Sequence, residues 1–184
     1  MRKVCASVAA GFLLALGGCL DLMSVHPLAA GEALAFDAGL AGEWTAVEEK
    51  KAMALVRAGA EGRKEYDVIW IPGEPDEAPL RLTGRLARVG GRFVLDLVKS
   101  ERPDMGVAGH FFFLYERQGD VLKLRWLDTE WLRGEVTRTG GPEHVLAGGK
   151  PVITAGSAAL AAFFARTVNE PRAAGDSFDF RRAR

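Results

Sequence analysis

The chain has 184 residues, 24 basic and 24 acidic side chains for a net charge of zero, and is 48% hydrophobic. The balance argues against a nucleic-acid partner, which leaves a basic excess or stripe, while the apolar share at this length suffices for one sizeable core. Both cysteines, Cys5 and Cys19, lie within the first twenty residues, so no disulfide framework is available to the remainder of the chain.

Arg2 and Lys3 form a basic end, residues 4–16 an apolar run, and Gly17 and Gly18 a small-residue stretch before Cys19. That is the layout of an export signal. The run is about 13 residues where a membrane-crossing helix needs about 20, so removal is expected. Leu16-Gly17-Gly18-Cys19 resembles the lipobox of bacterial lipoproteins. The resemblance implies a signal peptide over 1–18, acylation of Cys19 as the new N-terminus, and a membrane partner held through its acyl chains. Leu20 after the cysteine implies, by the sorting rule for such lipoproteins, the periplasmic face of the outer membrane. Residues 19–36 are small and turn-prone, with Ser24, Pro27 and Gly31, and are expected to be an acylated N-terminus and tether in which His26 is a solvated spacer residue.

From Leu40 to about Leu146 the dominant period is two. Residues 42–47, 52–57 and 66–71 fit strands, with the charged Glu48-Glu49-Lys50-Lys51 as the turn between the first two and residues 72–76 as a loop. Leu80, Leu82 and Leu86 alternate with Arg81 and Arg85, Phe93, Leu95 and Leu97 with Arg92 and Asp96, and Leu122, Leu124 and Trp126 with Lys123 and Arg125. These are patterns of strands with one apolar face. Gly90-Gly91 and Gln118-Gly119-Asp120 read as hairpin turns, and His144-Val145-Leu146 adds a short strand. Leu160, Phe163, Phe164 and Val168 then fall on one helical face, predicting a helix over about 157–169, capped by Thr154 or Ser157 and bounded by Pro171.

The expected fold is therefore mainly β: an antiparallel barrel of about eight strands with one C-terminal amphipathic helix, spanning 37–184. Gly42-Glu43-Trp44 after a short lead-in resembles the Gly-x-Trp signature of lipocalins, whose tryptophan closes the base of an eight-stranded barrel. The later Thr-Asp-Tyr signature is absent, Gly109-His110-Phe111 standing in that region. The blocks Phe93-Val94-Leu95-Asp96-Leu97, Gly109-His110-Phe111 and Gly119-Asp120-Val121-Leu122-Lys123-Leu124, with residues 127–132, are also similar to blocks recurring in small exported bacterial proteins. That likeness implies an exported β-domain with a C-terminal helix and brings no reaction.

Asp96, His110, Asp128, Glu130 and His144 are the candidates for metal or acid–base work. Their histidines stand in separate segments without paired spacing; His110 reads as a strand start bonded to backbone, and Asp128-Thr129-Glu130 as a turn. No nucleophile elbow or phosphate loop occurs, so no enzyme activity, metal or cofactor is expected. A barrel of this size is either filled or holds one small ligand, and Trp44, Trp70, Phe111, Phe113, Tyr115 and Trp126 are the candidates to line such a site. The expected function is an envelope lipoprotein binding a small apolar ligand; the alternative is a structural or protein-interaction lipoprotein without a ligand cavity.

Overall fold

The structure, a computed structural model, describes residues 22–48, 51–60, 63–74, 76–100 and 108–183. The export signal and Cys19 lie outside the described residues. The strands are β1 (Met23–Ser24), β2 (Leu34–Ala35), β3 (Gly42–Ala46), β4 (Met53–Ala58), β5 (Glu65–Ile71), β6 (Leu80–Val89), β7 (Arg92–Lys99), β8 (His110–Gln118), β9 (Val121–Leu127), β10 (His144–Ala147), β11 (Lys150–Ile153) and β12 (Ala174–Arg182). Helix α1 (Thr129–Thr137) follows β9, and α2 (Ser157–Thr167) precedes β12.

β3 to β9 run as an antiparallel meander, each strand pairing with the next. β12 then inserts antiparallel between β3 and β9 and closes an eight-stranded barrel. Both glycines of the β6–β7 turn have positive φ, 58° at Gly90 and 81° at Gly91, the requirement of a two-residue turn whose twist matches the strands. A side flap of β10, β11 and β1 continues the sheet from the start of β8.

Period two sorts the side chains into two cores. Leu82, Leu86, Leu95, Leu97, Leu122 and Leu124 point into the barrel with the large aromatics. The opposite faces of β7 and β8 are covered as well: Val94, Phe112 and Leu114 pack beneath Leu160, Phe163 and Phe164 of α2 and beneath Leu28. This double covering is why those two strands read as almost unbroken apolar runs rather than clean alternation. The Phe112 and Phe164 rings meet edge to face at 5.0 Å.

Three sequence expectations are corrected here. Residues 22–36 do not trail away as a tether: Met23 and Ser24 pair with β11 and β8, Leu34 and Ala35 with β6, and Leu28 is 1% exposed. Apolar residues spaced without period could still find hollows on a wall already made by other strands. Asp128-Thr129-Glu130 is not an isolated turn; the Asp128 carboxylate accepts from the Trp131 amide at 2.8 Å and starts α1. Helix α2 begins at Gly156 without a side-chain cap, because the Ser157 hydroxyl instead donates to the Pro27 carbonyl at 2.6 Å and pins the N-terminal segment to the helix. His26 is exposed, as a spacer residue would be.

Candidate functional site: a barrel with a locked base and an aromatic mouth

The two ends of the barrel differ. At one, the base, lie the β4–β5, β6–β7 and β8–β9 connections and the lead-in to β3. Asp37 in that lead-in receives a two-pronged guanidinium contact from Arg117, Nε to Oδ2 at 2.8 Å and Nη2 to Oδ1 at 2.9 Å. Its Oδ2 also accepts from the Tyr115 hydroxyl at 2.7 Å and its Oδ1 from the Gly39 amide at 2.8 Å. The Arg117 guanidinium foremost, with the Tyr115 and Gly39 donors, holds the Asp37 carboxyl down at about 2. Burial pushes the Tyr115 hydroxyl up, and its bond to the Asp37 carboxylate pushes it further.

Trp44 seals this end. Its indole donates to the Leu40 carbonyl at 2.8 Å, and the Arg182 guanidinium, from the last residue of β12, lies 4.6 Å from its ring centre. The same guanidinium donates to the Ala41 carbonyl at 3.0 Å and to the Gly39 carbonyl. Two arginines from the ends of β8 and β12 thus strap one short segment across the base.

Above the strap the barrel is filled. Trp44, Tyr66 and Phe113 are completely buried. A Cβ placed on Gly84 of β6 would already meet Leu97 Cδ2 at 3.3 Å, closer than a comfortable contact. At the other end, where β3–β4, β5–β6 and β7–β8 connect, the interior side chains open out. Trp126, Leu80, Phe178, Ala46 and Ala54 are half-buried and pack against the filled core. Trp126 stands 4.2 Å from the Phe113 ring centre and 5.8 Å from Phe178, and Trp70 meets Phe180 edge to face at 6.1 Å.

All six aromatic residues picked from the sequence therefore face the barrel interior, but in different places. Trp44 and Tyr115 belong to the base, Phe113 to the packed middle, and Trp70, Phe111 and Trp126 to the end that opens. Sequence reasoning missed Leu80 and Phe178 as mouth residues, although Phe178 and Phe180 alternate with Asp179 in a short period-two signal. It also missed Asp37, Arg117 and Arg182, whose roles depend on contacts spanning 80 residues or more.

The candidates for chemistry are committed elsewhere. His110 begins β8, but its ring bonds not to backbone but to Asp96, donating Nδ1–H to Oδ1 at 2.7 Å. Asp96 Oδ2 accepts the Leu28 amide at 2.9 Å. Both side chains are buried on the outer face of the sheet, so the pair pins the N-terminal segment to β7 and β8. Ser24, the strand neighbour of His110, is fully buried, and its hydroxyl is held by the backbone of His26 at 2.8 Å. His144 Nδ1 lies 3.0 Å from the Pro142 carbonyl, and Glu130 occupies the first turn of α1. Among the described residues no three His, Cys, Asp or Glu side chains converge as a metal site would require.

A second hollow lies outside the barrel, between α1 and α2. It is an open groove of about 460 Å³ whose walls carry Trp131, Arg138, Arg166 and Arg172 together with Glu135 and Glu170. No helix among the described residues is long and apolar enough to cross a membrane. No protein-family model, curated protein or solved structure matches the chain.

Proposed function

We propose that the protein is a lipid-anchored protein of the bacterial cell envelope whose barrel takes a small apolar ligand at the mouth. The observation that carries the binding part is the asymmetry of the barrel. The base is sealed by Trp44, Arg117 and Arg182, whereas half-buried Trp126, Phe178 and Leu80, over buried Trp70 and Phe111, leave an apolar, aromatic surface at the opposite end. The filled middle sets the scale of the ligand: it occupies the upper part of the barrel, above Phe113. The anchor rests on Leu16-Gly17-Gly18-Cys19, with the periplasmic face of the outer membrane as its location through Leu20. The role is binding and not catalysis, which is supported by the commitment of Asp96, His110 and Asp128 to structural bonds.

The test uses the full chain with Cys19→Ser, titrated with a fluorescent polyene fatty acid. Saturable binding is expected, weakened about tenfold or more by Trp126→Ala, because a large aromatic contact is lost. Binding unaffected by Trp126→Ala and Phe178→Ala overturns the mouth as the site. No binding at all favours the second reading, an interaction lipoprotein without a ligand chamber, which the packing of Trp44, Tyr66 and Phe113 supports. The anchor has its own check. Fatty-acid label incorporated by the natural chain is expected to be lost in Cys19→Ser, and label that persists overturns acylation there.

A further inference from the structure

The first described residue, Leu22, is buried, and it lines a small hollow with Phe112, Thr129, Leu132 and Phe164, which Phe111 and Trp126 of the mouth also border. The chain therefore arrives at the protein between the start of α1 and the middle of α2. Cys19 is three residues earlier, and three extended residues reach about 10 Å at most. Any membrane that holds the acyl chains of Cys19 must lie within that distance of the two helices.

The residues adjoining Leu132 and Phe164 in sequence are Trp131 and Phe163, and these line the groove on the other side of the same helices. Three guanidinium groups, of Arg138, Arg166 and Arg172, line it together with two carboxylates, of Glu135 and Glu170. Arg138 shares its charge with Glu135 at 3.2 Å, while Arg166 and Arg172 are exposed and make no ion pair among the described residues. Guanidinium groups match phosphate oxygens in a planar, two-pronged geometry. An indole beside them suits the boundary between headgroup and acyl chain.

We infer that the α1–α2 groove binds the phosphate headgroup of an anionic phospholipid in the membrane that anchors the chain, so that the barrel lies with its helical side on the bilayer. The inference rests on the lipid-anchor reading for its geometry, and its test leaves that reading untouched. The chain from Leu20 onward, which lacks both the apolar signal and Cys19, is mixed with vesicles of phosphatidylglycerol and phosphatidylcholine or of phosphatidylcholine alone, and cosedimentation is measured at low salt. Binding to the anionic vesicles is expected, with an Arg166→Ala/Arg172→Ala double variant weakened about thirtyfold. An Arg57→Ala/Arg63→Ala double variant at the base is expected to bind as the parent does. Equal losses in the two double variants, or no preference for the anionic vesicles, overturn the groove as the docking site. Inorganic phosphate that binds the groove tightly without vesicles, and displaces them at the same concentration, overturns the lipid as its ligand. Failure of the fatty-acid label in the natural chain, with vesicle binding intact, would instead locate the fault in the anchor.

Discussion

At the residue scale, two buried or half-buried carboxylates do opposite kinds of work. Asp37 is held ionised by Arg117 well below its usual value of 3.8, at about 2. A carboxyl whose folded pKa is lowered stabilises the fold above its unfolded pKa and ceases to do so as pH falls through the folded one. The base strap should therefore weaken between about pH 4 and pH 2, by an amount on the order of 1 kcal/mol once solvent screening at this partly open site is allowed for. Thermal melts of the natural chain and of Asp37→Asn are expected to differ at pH 5 and to converge near pH 2; parallel curves would show that Arg117 does not act through this carboxylate. Asp96 is different because it lies 1% exposed, bound to one imidazole and one amide. Asp96→Ala leaves His110 and the Leu28 amide without their acceptor, an expected loss of about 3 kcal/mol in chemical denaturation. Neither role could be read in the sequence. Asp96 stands there as a polar residue in an apolar strand and a candidate for metal or acid–base work, with nothing to pair it with His110, and Asp37 as part of a lead-in without period.

At the scale of elements, legibility followed locality. The β6–β7 turn at Gly90-Gly91 and the β8–β9 turn at Gly119-Asp120 stand where the glycines place them, since their requirement is local backbone geometry. Helix α2 was legible from its apolar stripe. Helix α1 was not: its buried residues are only Leu132 and Val136, with Gly134 between them, so the periodic signal is too short and Asp128 imitates a turn residue. The readable clue was the pairing of an N-terminal Asp with apolar residues four apart. β12 carries Phe178 and Phe180 in alternation, but its partners β3 and β9 are distant in sequence and cannot be inferred from it. The energetic weight of α2 is testable. Phe164 is fully buried beneath the helix against Phe112, and Phe164→Ala is expected to cost about 3–5 kcal/mol by equilibrium unfolding. A cost below about 1 kcal/mol would mean that the outer layer contributes little and that the barrel interior is the only core that matters.

For the molecule as a whole, the candidate site was half legible. Alternation grouped the aromatic residues on one face without settling that this face points inward, and it could not separate those that fill the barrel from those that surround its open end. That distinction arises from closure, which places Trp44 under Arg182 and leaves Trp126 beside Phe178. The same closure gives the molecule a strapped base and, at the opposite end, a mouth of half-buried Leu80, Trp126 and Phe178, with an arginine-bearing groove on the helical side.

The position of β12 also governs when the ring can exist. Trp44 pairs with the strand that ends at Arg182, so the two sides of the seam are separated by most of the chain. Joining them carries the loop-closure cost of a long segment, and such non-local pairings form slowly. Seven strands can form a curved sheet as soon as they are made, but its first and last edges stay open until residues 174–182 arrive. A chain that emerges N-terminus first thus remains an open ribbon until residues 174–182 have emerged. Completion of the cylinder waits on β12, and refolding of a chain truncated before Ala174 should yield an open sheet that binds hydrophobic dye rather than a cooperative fold.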